Sequence, residues 1–207
     1  MCGIAGFVGS WPPTLAGAMT TALARRGPDG GGLWSDDGVA LGHRRLSIID
    51  LSDAAAQPMH SVDDRYILTY NGEIYNFRDL RIELEQSGIK FRTGSDTEVL
   101  LTLFARDGLD CVDRLNGIFA FAIWDRRHRV LSIARDHMGV KPLYYATLPQ
   151  GFLFASDLKS LALCSAVPRD IDAKAVGDHL GFIWTAGENT MLCAVKKLRP
   201  GSTLTVS

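Results

Sequence analysis

Ile118-Phe119-Ala120-Phe121-Ala122-Ile123-Trp124 is an unbroken apolar run with no polar residue at odd or even positions. Successive side chains of a strand point to opposite faces, so a strand that is apolar at every position has both faces covered. That single reading calls for a sheet packed between two other layers. Asp125-Arg126-Arg127-His128 is short and polar, and another apolar run follows at 130–134, so the two runs form an antiparallel hairpin. Further strand-like runs lie at 4–8, at 39–41 continuing through 46–49, and at 66–70, 143–145, 152–155 and 202–206.

Helices are predicted between these runs. One covers residues 15–25. A second begins after Asn76 as N-cap, carries Phe77, Leu80 and Leu84 along one face, and stops at Gly88. A third opens with Ser95-Asp96-Thr97-Glu98, which has the S-x-x-E form of a capping box, and runs through Leu100, Leu101, Leu103 and Phe104. The last follows Asp172 and covers 173–180. Antiparallel strands buried on both faces, with helices segregated from them, give a layered α+β sandwich.

The 207 residues suffice for one domain with a sizeable core or two small ones. The chain carries 22 basic and 23 acidic residues with no single-sign block, which argues against a nucleic-acid or membrane-surface partner. No apolar stretch approaches the ~20 residues of a spanning helix and no secretory n-region is present, so a cytoplasmic protein is expected. Cys2, Cys111, Cys164 and Cys193 are far apart and without His at metal spacing, so neither a disulfide framework nor a metal site is expected.

Cys2 opens the run Met1-Cys2-Gly3-Ile4-Ala5-Gly6-Phe7-Val8-Gly9. Initiator methionine is normally trimmed when the next side chain is small. Trimming here would place a thiol and a free α-amine on one residue. A free thiol titrates at ~8.5 and an α-amine at ~7.7–8.0, so the pair is a nucleophile with its own base close to neutral pH. An internal Cys of this kind would otherwise be read as a small buried apolar residue.

Polar stretches punctuate these elements in a fixed order. They are Arg26-Gly27-Pro28-Asp29-Gly30, Gly42-His43-Arg44-Arg45-Leu46-Ser47-Ile48-Ile49-Asp50, Gln57-Pro58-Met59 and Tyr70-Asn71-Gly72-Glu73-Ile74-Tyr75-Asn76. Thr93-Gly94-Ser95-Asp96-Thr97-Glu98, the stretch from Ala134-Arg135-Asp136 through Lys141-Pro142-Leu143-Tyr144-Tyr145, and Phe154-Ala155-Ser156-Asp157 complete the series. Together they resemble the N-terminal glutaminase domain of glutamine-dependent asparagine synthetases. That domain is a class II glutamine amidotransferase of the N-terminal-nucleophile (Ntn) hydrolase superfamily. The likeness covers residues 1–207 as one domain, and Arg45-Leu46-Ser47-Ile48 is similar to the asparagine synthetase branch.

The resemblance implies a four-layer αββα sandwich, two antiparallel sheets between helices. It implies hydrolysis of the L-glutamine side-chain amide to glutamate and ammonia, with ammonia passed to an ATP-dependent synthetase domain. Carried onto this sequence, Cys2 is the nucleophile, and Asn71 and Gly72 supply the oxyanion hole through a side-chain amide and a backbone N–H. Arg45 binds the substrate α-carboxylate, Leu46 and Ile48 line the pocket with backbone atoms, and Glu73 and Asp96 hold the α-ammonium. Read without the resemblance, Asn71-Gly72 is a turn dipeptide and Asp96 an acid favouring a helix N-terminus by ~0.3–1 kcal/mol. Of the adjacent Arg44 and Arg45, strand alternation lets only one point at Cys2.

The five histidines are expected to be structural or exposed, and the stretch 135–145 to be architecture and interface. Asp157 stands where the family usually has glutamate. The nucleotide-binding loop of a synthetase domain is not in these residues, so ATP and Mg²⁺ are expected only for that other domain, on the same or a separate polypeptide. This chain itself calls for no cofactor. The resemblance allows a homodimer. Rival readings are an amidotransferase serving another carboxylate acceptor and a non-catalytic glutaminase-like module.

Overall fold

Both faces of the apolar run are covered, each by a different layer. Phe119, Phe121 and Ile123 join a core beneath two helices, while Ala120, Ala122 and Trp124 join a core between two sheets. The computed structural model describes residues 1–12 and 14–207. Its strands are β1 (Gly3–Gly9), β2 (Gly30–Asp36), β3 (Val39–Arg45), β4 (Met59–His60), β5 (Tyr66–Ile74), β6 (Gly117–Asp125), β7 (Val130–Arg135), β8 (Tyr144–Leu148), β9 (Gly151–Ala155), β10 (Lys196–Lys197) and β11 (Thr203–Val206). Its α-helices are α1 (Thr14–Ala22), α2 (Phe77–Gln86), α3 (Asp96–Asp107), α4 (Leu158–Leu161) and α5 (Ala173–Phe182).

One sheet runs β10-β8-β9-β1-β3-β2 and the other β11-β7-β6-β5-β4, with antiparallel pairing in both. Ile4, Leu41 and Phe154 of the first sheet meet Ile67, Ala122 and Ile133 of the second. Leu80 and Leu84 of α2 with Val99, Leu100 and Phe104 of α3 cover the outer face of the second sheet. Leu15, Ala16 and Met19 of α1 with Leu161 of α4 cover the outer face of the first. The result is the expected αββα sandwich. Each fully buried Phe, Leu or Ile contributes roughly 1.5–3 kcal/mol, so three contiguous cores hold the layers together.

Two hydrogen bonds pin the sheets to each other beside the N-terminus. Thr69 Oγ1 donates to Gly42 O at 3.1 Å, and His43 Nε2 meets Tyr70 O at 3.1 Å. At the same end, Asp136 accepts backbone N–H groups from Phe119, Met138, Val140 and Lys141, and the Arg135 guanidinium donates to the carbonyls of Gly139, Lys141 and Leu198. The stretch 135–141 is thus built as architecture. Asp157 Oδ1 accepts the Lys159 N–H at 2.8 Å and caps α4.

Several local expectations change. Residues 46–49 do not continue β3, because the Leu46 N–H turns to Cys2 Sγ and the Ser47 N–H to Asp29 Oδ2 instead of a ladder partner. Asn71-Gly72 is not a turn: β5 runs on through Ile74, paired with β6 along its whole length. Residues 30–36, which are not among the strand-like runs, form β2, recruited by a seven-residue register against β3. Helix α1 ends at Ala22 rather than 25. Asn76 precedes α2 without capping it by its side chain; its amide ties to Arg114 O and the Asn116 N–H. Ser95 caps α3 by accepting the Thr97 N–H, but Glu98 accepts from the Arg92 and Thr93 N–H groups, so only half of the capping box forms. Asp172 caps α5 as expected, through Ala175 N–H.

Candidate active site

Pairing of Gly3 with Arg44 sets the start of β1 against the end of β3, and the chain beyond β3 then folds over Cys2. The Leu46 N–H donates to Cys2 Sγ at 3.3 Å, and the thiol in turn lies 3.5 Å from Leu46 O. Asp29 fastens this segment from below, accepting the Ser47 N–H at 2.8 Å and donating its own N–H to Arg45 O at 3.0 Å. Cys2 is half-buried and opens onto a cavity of about 160 Å³. Met1, Arg45, Leu46, Ile48, Asp50, Gln57, Tyr70, Asn71, Gly72, Asp96 and Lys141 also line it.

Strand β5 forms one wall. β4 pairs with it only at Ile67 and Leu68, so beyond that point this edge of β5 is open. The Tyr70 N–H on that edge donates to Gln57 Oε1 at 2.6 Å and the Ile74 N–H to Asp96 Oδ2 at 3.1 Å. Antiparallel pairing turns alternate N–H groups to the same side, so the Gly72 N–H between them points to the cavity edge. Any side chain at Gly72 would clash: a Cβ there would sit 2.5 Å from Ile118 O and 2.7 Å from the Tyr70 ring. Asn71 is 1% exposed, and its Nδ2 has no hydrogen-bond partner among the described residues. A buried amide donor left without an acceptor costs about 1–3 kcal/mol, and such groups mark places built to receive one. Asn71, with its unpartnered Nδ2, and Gly72 thus line the same cavity as Cys2.

Arg45 and Asp96 bring opposite charges to the same space. The Arg45 guanidinium donates to the carbonyls of Ser52 and Asp50, and among the described residues no carboxylate lies within ion-pair distance of it. Arg44 points the other way and donates to Gly27 O at 3.1 Å, as alternation requires. Asp96, in the first turn of α3, is 3% exposed and accepts from the Tyr70 hydroxyl at 2.7 Å. Burial raises its carboxyl above the usual range, against the opposing pull of the hydrogen bonds from Tyr70 and Ile74. A neutralising ammonium would offset that burial. Glu73 does not join the group: it is exposed at the end of β5 and does not line the cavity.

Four residues with no role assigned from sequence belong to this surround. Arg26 Nε donates to Cys2 O at 3.2 Å, and its Nη2 is buried without a partner among the described residues. Gly27 lets it approach, since a Cβ at 27 would lie 2.3 Å from the Arg44 carbonyl carbon. Gln57 and Tyr70 connect β5 to α3, and Lys141 closes the wall beside Gly72. The signal was present, because all four lie in the polar motifs, but nothing in spacing alone distinguishes them from surface residues. His43 is structural: burial drives its pKa down to about 4, so it is neutral near pH 7.

A glutamine amidotransferase domain family matches residues 1–207. Asparagine synthetase [glutamine-hydrolyzing] 3 of Bacillus subtilis is 38% identical over 215 residues, covering 100% of this chain and 35% of that protein. Asparagine synthetase B [glutamine-hydrolyzing] of Escherichia coli K12 is 41% identical over 163 residues, covering 78% of this chain and 28% of that protein. The chain thus spans about a third of the length of such relatives. Among solved structures, the glutamine phosphoribosylpyrophosphate amidotransferase from B. subtilis superposes with a TM-score of 0.73 at 23% identity, over 99% of this chain and 47% of that one, so the two have the same fold. Matched over residues 1–207, the chain belongs to the glutamine amidotransferase domain family.

Proposed function

We propose that this chain hydrolyses the side-chain amide of L-glutamine through a Cys2 thioester and supplies the ammonia to an ATP-dependent, asparagine synthetase-type domain. The observation that carries the reading is the unpartnered Asn71 Nδ2 in the cavity wall that Cys2 Sγ shares. With Met1 removed, the Cys2 α-amine takes the thiol proton as sulfur adds to the amide carbon. The oxyanion that forms is met by Asn71 Nδ2 and Gly72 N–H, donors of a kind worth ~3–4 kcal/mol each. The C–N bond then breaks, and the amine passes its proton to departing ammonia. The same amine activates water against the thioester; the C–S bond breaks, giving glutamate and the free thiol. Arg45 takes the substrate α-carboxylate and Asp96 the α-ammonium, while Leu46 and Ile48 border the substrate.

ATP and Mg²⁺ belong to the synthetase domain in this reading. Aspartate is its acceptor, supported by the names of the relatives; another carboxylate is the alternative. Among the described residues no helix is long and apolar enough to cross a membrane; we place the reaction in the cytoplasm.

The test compares Met1-trimmed and Met1-retained protein, separated by mass, in a glutamate-release assay without ATP. Retained Met1 turns the base into an amide and lines the cavity itself, so only the trimmed form should hydrolyse glutamine. An electrophilic glutamine analogue should label Cys2 and none of Cys111, Cys164 and Cys193. Equal rates in the two forms would exclude the α-amine as base, and labelling elsewhere would move the nucleophile.

A further inference from the structure

Lys141 stands in the cavity wall with nothing to neutralise it. It is 9% exposed, yet among the described residues its ammonium takes part in no ion pair and no hydrogen bond within the protein. Its Nζ is not one of the buried unpartnered nitrogens of the described residues, so the ammonium keeps an open face while its stem is covered, and Lys141 lines the cavity. The neighbouring acid is already engaged, since Asp136 accepts four backbone N–H groups.

The fold fixes where this charge sits. Lys141 lies where the chain crosses from β7 in one sheet to β8 in the other. Its N–H donates to Asp136 Oδ2 at 3.0 Å, and the same oxygen accepts the Phe119 N–H at 3.2 Å. Phe119 stands directly opposite Gly72 in the β5–β6 ladder. The Arg135 guanidinium holds the Lys141 carbonyl at 2.8 Å. The backbone of Lys141 is thereby pinned at the level of Gly72, and its side chain lines the cavity that holds Cys2 Sγ.

We infer that the Lys141 ammonium meets the negative charge that hydrolysis creates on the substrate side chain, so that the cavity favours product glutamate over substrate glutamine. The inference rests on the glutaminase reading above. Glutamine presents a neutral side-chain amide. The tetrahedral intermediate carries an oxyanion at that carbon, and water's attack on the thioester leaves a carboxylate there. Arg45 and Asp96 answer the two charges of the amino-acid head group, common to both molecules; Lys141 answers the one charge that differs.

The experiment uses the Cys2→Ala chain, which turns neither ligand over, and measures L-glutamine and L-glutamate binding by calorimetry with and without Lys141→Met. Met keeps the aliphatic stem, and Lys141→Arg keeps the charge. Losing a charge-assisted contact should weaken glutamate about tenfold or more, while glutamine changes less than about twofold. Lys141→Arg should retain the preference, with melting temperatures of all variants recorded. In the Cys2-containing chain, Lys141→Met should lower kcat with KM for glutamine nearly unchanged. Equal weakening of both ligands would make Lys141 structural, and unaltered glutamate binding would place its charge elsewhere; either overturns the inference. Failure of the Cys2→Ala chain to bind either amino acid would overturn the glutaminase reading itself.

Discussion

At Asn71 the side-chain Nδ2 is buried without an acceptor among the described residues, although β5 is paired with β6 along its whole length. Asn71→Ala removes a donor that native contacts do not use, so its effect should fall on the reaction. We expect kcat for glutamine to drop by about 10²- to 10³-fold, with KM little altered. The melting temperature should move only slightly, because loss of the small side-chain volume is opposed by relief of the unpaired amide. A large fall in melting temperature with kcat intact would show that Asn71 serves packing alone. Cys2, Arg45, Asn71, Gly72 and Asp96 are all legible as residue types within motifs. Arg26 and Lys141 are not, because a basic residue in a loop is ordinarily solvated, and only contact with Cys2 O or the cavity separates them from that background.

On the scale of elements, α3 and β5 meet through one carboxylate. Asp96 Oδ2 joins the Tyr70 hydroxyl to the Ile74 N–H, and Gln57 bridges the Tyr70 N–H to the Thr97 hydroxyl. Burial raises the Asp96 pKa above its unfolded-state value. Between those two values the folded chain binds more protons than the unfolded one, so stability falls as pH rises through the window, and neutral pH carries the cost. Asp96→Asn keeps an acceptor for Tyr70 and Ile74 and removes the charge. Its kcat/KM for glutamine should fall about ten- to a hundredfold, while its melting temperature at pH 7 is equal to or above that of the parent. A destabilised variant would mean that the ionised carboxylate holds α3 in place. The capping motif at Ser95 announces this helix in the sequence, but the carboxylate's partners lie 26 and 22 residues away in β5, beyond the reach of local pattern.

Across the whole molecule, His43 is the hinge between pH and folding. It carries the first sheet to the Tyr70 carbonyl of the second, and burial is the main cause of its pKa near 4. The unfolded value is 6.5. As pH falls through 6.5 the unfolded chain takes up a proton that the folded chain refuses, so stability is lost progressively down to about pH 4. The gap corresponds to roughly 3 kcal/mol. Chemical denaturation between pH 7 and 4 should record that loss, and His43→Gln, which retains an N–H donor toward Tyr70, should flatten the slope. An unchanged slope would assign acid sensitivity to other groups.

The double-sided burial of β6 and the start of α3 follow from periodicity and capping chemistry, which act over a few residues and are written in the chain itself. The reading of Cys2 as nucleophile likewise rests on its standing second in the sequence. The course of 46–49, the extension of β5 through Asn71-Gly72 and the recruitment of Gly30-Gly31-Gly32 into β2 were decided by tertiary structure. In each case a partner distant in sequence supplied or withheld the backbone hydrogen bonds: Cys2 and Asp29 drew Leu46 and Ser47 off the ladder, β6 carried β5 onward, and β3 held β2. Local propensity is worth tenths of a kcal/mol per residue, and a buried backbone group left unpaired costs more, so where the two conflict the distant partner prevails.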